Sequence, residues 1–176
     1  MVALFTLAAC GGGGDDDEAN PSAPKKSSAS SSASTDAGDD EVDTSKVIGE
    51  LKGANGIEIA VHSAVRDAGG FVTVSGTLYN KGDRTFRAAE WRSEETAIKS
   101  KSSIAGATLI DKSGKKRYMV LRDTDGQCLC TTGLAGVQPG ESRPVFAQFP
   151  APPANVAAVE FHVPSMSPVT LELTEG

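Results

Sequence analysis

The chain has 176 residues and a formal net charge of −6, from 17 basic and 23 acidic residues. This length fits about one domain. Residues 11–45 carry nine acidic and two basic side chains, so the rest of the chain is nearly neutral. That distribution argues against nucleic-acid binding, which needs a concentrated basic surface. With two His and three Cys residues, we expect no His-rich metal centre and no cofactor.

Residues 1–10 read MVALFTLAAC. The apolar run is too short to span a bilayer, which takes about 20 residues, and is typical of the end of a signal-peptide core. Its last four residues, Leu7-Ala8-Ala9-Cys10, resemble the lipobox of bacterial lipoproteins. The resemblance implies cleavage before Cys10 and acylation of its thiol, with palmitate-like chains that hold the protein to a membrane.

No Lys or Arg precedes this apolar run, so the basic region of a full signal peptide is missing. We therefore expect the natural start to lie further upstream. The alternative is a cytoplasmic protein with an incidental apolar N-terminus. The lipobox interpretation predicts an extracytoplasmic protein on the cell membrane.

Residues 11–45 are rich in Gly, Ser, Ala and acidic residues, and Val42 is their only large apolar residue. Such a segment cannot bury enough apolar surface to offset its ordering entropy, so it predicts a disordered tether. The expected organisation is a signal-peptide remnant in 1–10, a tether in 11–45 and a folded domain in 46–176.

Apolar and polar residues alternate with period two through much of the domain, which predicts half-buried strands. In residues 57–66, Ile57, Ile59, Val61, Ser63 and Val65 are expected on one face. We predict strands in residues 57–66, 72–79, 85–91, 107–111, 117–122, 143–149, 156–163 and 169–173. A short helix is predicted in 94–101. Seven to nine short strands predict an all-β fold, a single antiparallel sandwich of the immunoglobulin-like kind.

Two stretches carry a family resemblance. Residues 70–83 (GFVTVSGTLYNKGD) and residues 147–153 (AQFPAPP), followed by 156–163, are similar to telokin-like, immunoglobulin-like domains of Gram-positive and actinobacterial surface lipoproteins. The resemblance covers roughly residues 57–173. It implies an extracellular β-sandwich and transfers no catalytic residue.

Cys128 and Cys130 are separated by one residue. Exported proteins meet oxidising surroundings, which favours a disulfide between them. Cα atoms two residues apart in a straight strand lie about 6.5–7 Å apart, at the limit for a bridge, so the pair would need a local bend. Two separate thiols, or a redox-active or intermolecular pair, are the alternatives.

Asp123-Thr124-Asp125-Gly126 has the spacing of the first half of a calcium loop, in which Asp123 and Asp125 would share a cation. The bidentate acid of a complete loop is missing. The alternative is a β-turn, with Asp capping the backbone and Gly at positive φ.

Trp91 with Arg87 and Arg92 is a candidate interaction patch, since Trp and Arg dominate interface hot spots. The alternative is that Trp91 packs over one end of the sandwich. His62 and His162 are expected to face solvent. A basic turn formed by Lys112, Lys115, Lys116 and Arg117 would touch anionic lipids or wall polymers, or simply remain solvated.

These observations predict a lipid-anchored, non-catalytic binding or accessory module of the cell envelope, with an unknown envelope protein or wall component as its partner. A small-ligand or calcium carrier that uses the turn at Asp123 is the alternative. An envelope enzyme is a third hypothesis, because a pair of carboxylates that meets only in space leaves no sequence motif.

Overall fold

The computed structural model describes residues 42–91 and 102–176. Contacts divide the chain into Met1–Asp39 and Asp40–Gly176, and the described residues belong to the second unit. The predicted signal-peptide remnant, most of the predicted tether and the helix predicted in 94–101 lie outside the described residues.

Within the described ranges the chain forms eleven strands and one 3-10 turn, Ala54–Gly56. In chain order the strands are β1 (Gly49–Lys52), β2 (Ile57–Arg66), β3 (Phe71–Asn80), β4 (Phe86–Arg87), β5 (Thr108–Asp111), β6 (Lys116–Met119), β7 (Ala135–Val137), β8 (Ser142–Pro150), β9 (Ala158–His162), β10 (Val169–Glu172) and β11 (Thr174–Glu175). The all-β prediction is confirmed.

The strands form two main sheets and a small third one. The first sheet has the order β1-β2-β3-β8, and β11 pairs in parallel with the C-terminal end of β2, at Val65 and Arg66. The second sheet has the order β10-β9-β5-β6, and all its pairs are antiparallel. Strands β4 and β7 form the two-stranded sheet. This is the arrangement expected of a β-sandwich.

The hydrophobic core lies between the inner faces of the two main sheets. Phe149 of β8 meets Phe161 of β9 edge to face, with ring centroids 6.2 Å apart. Around this contact pack the fully buried aliphatic side chains of both sheets: Leu51, Ile59, Val61, Val72, Leu78, Leu109 and Leu171. Burial of these side chains stabilises the domain, since each contributes about 1.5–3 kcal/mol relative to exposure.

A β-bulge in β2 reverses the predicted side-chain alternation. Val61 pairs with Gly76 while Ser63 pairs with Ser75, so His62 is the extra residue. Because side chains alternate with period two, one extra residue exchanges the faces beyond it. Ala64 and Arg66 are therefore buried, whereas Ser63 and Val65, expected on the same face as Ile59, are only half-buried.

His62 does not face solvent, contrary to the prediction. The residue is 5% exposed. Nδ1 lies 2.7 Å from the carbonyl oxygen of Lys46, and Nε2 lies 2.9 Å from the Thr77 hydroxyl. The segment that enters the domain covers the ring, because Ile48 N–H also donates to the Val61 carbonyl. His162 is half-buried and lies 2.9 Å from Glu160.

Other strands differ from the prediction in length. The strand expected in residues 85–91 is reduced to the two residues of β4, and β1, β7 and β11 were not predicted. Strands β4, β7 and β11 have two or three residues each, too few to show a period. The eleven described strands exceed the expected seven to nine.

Candidate functional site

An open cavity of about 300 Å³ lies where the 3-10 turn, β4 and the turn at Ser165 meet. This volume is at the lower end of the range for small-molecule sites. The side chains that matter for its chemistry are Asn55, Arg84, Phe86, Arg87, Glu90 and Trp91. Strand β4 and the residues around it therefore supply most of the functional groups of the cavity.

Trp91 forms the apolar wall of the cavity together with Phe86. The two ring centroids are 4.8 Å apart and the planes are inclined by 53°. Trp91 is 3% exposed, and its carbonyl accepts a hydrogen bond from Gly106 N–H at 2.6 Å. Trp91 is therefore buried in the hydrophobic core cluster, and it also contributes to the wall of the cavity.

Two arginines stand at the cavity. Arg84 and Arg87 are both exposed. Neither guanidinium forms an ion pair with any residue in 42–91 or 102–176. The structure thus brings Arg87 and Trp91 of the predicted patch together, while Arg92 lies outside the described residues. Arg84 was not singled out from the sequence, because nothing in its local pattern distinguishes it from other surface arginines.

Glu90 is the acidic group of the cavity. Its Oε2 accepts a hydrogen bond from the Ser165 hydroxyl at 2.8 Å. This contact joins the segment after β4 to the segment after β9. The named charged groups of the cavity are therefore two cations and one carboxylate.

Asn80 positions the segment that carries Arg84. The residue is 1% exposed. Its Nδ2 donates to the carbonyls of Arg84 at 2.8 Å and Val137 at 2.9 Å, and its Oδ1 accepts from Gly82 N–H at 3.0 Å. One amide thus ties the turn after β3 to β7 and to the start of the cavity wall.

Gly82 lies in the turn after β3 and allows the 3-10 turn to pack closely against it. A Cβ atom at this position would overlap the backbone oxygen of Asn55. Lys81 N–H donates to the Gly56 carbonyl at 2.8 Å across the same contact. Only glycine permits this close backbone approach, and the approach brings Asn55 to the cavity.

Cys128 and Cys130 lie at disulfide distance, with Sγ atoms 2.05 Å and Cα atoms 5.2 Å apart. The Cα separation is below that of a straight strand, so the predicted bend is present. The segment lies along the outer edge of β8: Gln148 N–H donates to the Leu129 carbonyl at 3.0 Å, and Thr131 N–H donates to the Phe146 carbonyl at 2.9 Å. The cysteine segment thus covers part of this sheet edge.

Asp123 caps a tight turn. Its Oδ1 accepts from the N–H groups of Asp125 at 2.9 Å and Gln127 at 2.8 Å, and Gly126 has φ of 81°. These are the contacts of the β-turn alternative. In the part of the chain that the structure describes, no group of three His, Cys, Asp or Glu side chains could hold a metal ion. The calcium interpretation stays a prediction that these contacts do not support.

The basic turn between β5 and β6 is exposed. Lys112 forms an ion pair with Glu160 of β9, while Lys115, Lys116 and Arg117 point to solvent. Hydrogen bonds from Lys112 and, second, from His162 hold the pKa of Glu160 below its ordinary value. Because Lys112 is paired with Glu160, the cations left to contact an anionic surface are Lys115, Lys116 and Arg117.

None of the helices in 42–91 and 102–176 has the length and apolar composition that crossing a membrane requires. No protein-family model matches the chain, and no curated protein matches it.

Proposed function

We propose that this protein is a lipid-anchored, extracytoplasmic binding module of the cell envelope, without catalytic activity, and that it belongs to the telokin-like, immunoglobulin-like domains. The cavity beside Trp91 is its binding site. The partner is an envelope protein or a component of the cell wall.

The cavity is the observation that carries the proposal. It joins two guanidinium groups that form no ion pair within residues 42–91 and 102–176, an aromatic wall and a carboxylate at one end of a β-sandwich. Loops and short strands on a rigid scaffold are where binding residues concentrate. A site that combines Trp and Arg has the composition of an interaction hot spot.

The proposed location is supported by the sequence before the domain and by the cysteine pair. The lipobox-like Leu7-Ala8-Ala9-Cys10 precedes an acidic, low-complexity segment. Cys128 and Cys130 lie at disulfide distance, and disulfides persist mainly in oxidising compartments such as the cell exterior. Anchor, spacer and domain thus fit a protein displayed outside the membrane.

Metabolic labelling with a palmitate analogue tests the anchor. We expect label and membrane fractionation for the wild-type chain, expressed from its natural upstream start in a bacterial host, and loss of both in Cys10→Ser. Cys130→Ser is the matched control, which should keep the label. An unlabelled wild-type protein in the soluble fraction would overturn the proposed location.

Crosslinking in cells tests the binding site. A photo-crosslinking amino acid replaces Ala89, which is exposed and lines the cavity, or Ala154, which is exposed and does not line it. We expect one defined product from position 89, absent from position 154 and reduced by Arg87→Gln. The same products from both positions would contradict a binding site at the cavity.

A further inference from the structure

We propose that the cavity beside Trp91 binds a small organic anion: a carboxylate or phosphate group carried on an apolar body. This inference rests on the proposed binding role of the cavity, and it names the ligand class for the case in which the partner is a component of the cell wall. It does not depend on acylation of Cys10.

The charge of the cavity favours an anion. Arg84 and Arg87 contribute two positive charges, against one from the carboxylate of Glu90. Neither arginine has an ion-pair partner within the described ranges, whereas Glu90 already accepts a hydrogen bond from Ser165. A guanidinium offers a planar pair of N–H donors, which matches the oxygens of a carboxylate or phosphate.

The other wall requires an apolar body on the ligand. Phe86 and Trp91 pack against each other, and Met166 and Ile57 also line the cavity. A volume of about 300 Å³ exceeds what a bare phosphate or acetate ion would fill. An aromatic or branched aliphatic group would cover the apolar wall while the oxyanion stays at the guanidinium groups.

The fold fixes the backbone that carries the two cations. The Asn80 amide holds the Arg84 carbonyl at 2.8 Å, and Arg87 lies in β4, which pairs with β7. Both guanidinium groups are therefore attached to backbone that tertiary contacts fix. Ligand binding would therefore cost the ordering entropy of the two exposed side chains, but not that of the backbone that carries them.

Trp91 provides a reporter, because the chain has one tryptophan. The full chain, with its anchor in detergent micelles, is titrated with N-acetylphenylalanine, its neutral amide, and phenyl phosphate while indole fluorescence is followed. The indole N–H resonance is recorded in parallel. The two anionic probes distinguish a carboxylate source from a phosphate source.

We expect at least one anion to bind about tenfold more tightly than the neutral amide, a difference that salt should reduce. Arg84→Gln and Arg87→Gln should each weaken that binding several-fold and leave the unfolding midpoint unchanged, since both side chains are exposed. The matched control is Lys116→Gln, an exposed cation away from the cavity, which should bind as the wild type does.

Equal affinity for the amide and the anions would overturn the inference, as would equal weakening by Lys116→Gln. The inference would also be overturned if neither the indole fluorescence nor the indole N–H resonance changed with any probe at millimolar concentration. Such a result would leave the palmitate labelling and the crosslinking from position 89 unaffected, so the failure of this inference is distinct from failure of the proposed function.

Discussion

Asn80 shows how one polar residue organises the end of the domain that carries the cavity. Its amide is buried and satisfies two carbonyls and one N–H group. The motif containing Asn80 is visible in the sequence, but the partners at Arg84 and Val137 are not. One partner is 57 residues away, so only the folded chain identifies the amide as a positioning group.

Replacing Asn80 by Ala should destabilise the domain by about 2 kcal/mol, because the buried Val137 carbonyl would lose a donor. Chemical denaturation measures this free energy of unfolding. Asn155→Ala, at an exposed position in the β8–β9 connection, is the control and should change it by less than about 0.5 kcal/mol. Equal effects of the two substitutions would show that the Asn80 contacts contribute nothing.

His62 shows what the period-two pattern of a strand does not predict about a single residue. The period-two pattern assigned it to the solvent side, and it is indeed outside the sheet core. The ring is nevertheless buried, because residues 46–48 run across it. Periodicity reports the face of a strand, but it does not report what covers that face.

At the scale of elements, the strands with long alternating patterns were predictable and the shortest were not. β2, β3 and β8 have nine or ten residues each, enough to show a clear period. The two-residue β4 and β11 show none and depend on their partners. The bulge at His62 was also invisible, since an extra residue changes the phase without changing the composition.

The cysteine segment is the element whose role the structure clarifies most. It lies beside β8 and bridges toward residue 121, because Leu129 N–H donates to the Leu121 carbonyl at 2.8 Å. Exposed strand edges invite pairing with other chains. A bend held at Cys128 and Cys130 therefore shapes the segment that covers this edge.

A disulfide between these residues should add only modest stability, because the closed loop has three residues. Loop-closure entropy gives about 1.6 kcal/mol for so short a loop. We expect the double variant Cys128→Ser/Cys130→Ser to lose about this amount under non-reducing conditions. With reductant present, the wild type should lose the same amount and the variant should be unaffected. Quantitative alkylation of both thiols in untreated protein would contradict the bridge.

At the scale of the whole molecule, Arg66 joins three distant parts of the chain. Its guanidinium donates to Glu175 of β11 at 2.5 Å and to the Val156 carbonyl at 2.8 Å, while β2 carries it. Pro153 accepts a longer bond of 3.4 Å. This buried cation links β2 to the C-terminal strand β11 and to the β8–β9 connection, which joins the two main sheets.

Arg66→Met should destabilise the domain by about 1–3 kcal/mol, because the Val156 carbonyl would be left without its donor. Hydrogen exchange should also accelerate at residues 173–176, since β11 loses its side-chain contact. Arg117→Met, at an exposed position, is the control for loss of a positive charge. Unchanged exchange at the C-terminus would mean that backbone pairing alone holds β11.

The sequence by itself determined the class of the fold, the main strands and the separation of an acidic segment from a nearly neutral domain, because periodicity and composition are local properties. Only the tertiary structure decided which strands pair, where the alternation reverses and which polar groups are buried. It also decided that Arg84, Arg87 and Trp91 share one cavity with Asn55, since contacts between residues distant in sequence arise only when the sheets pack.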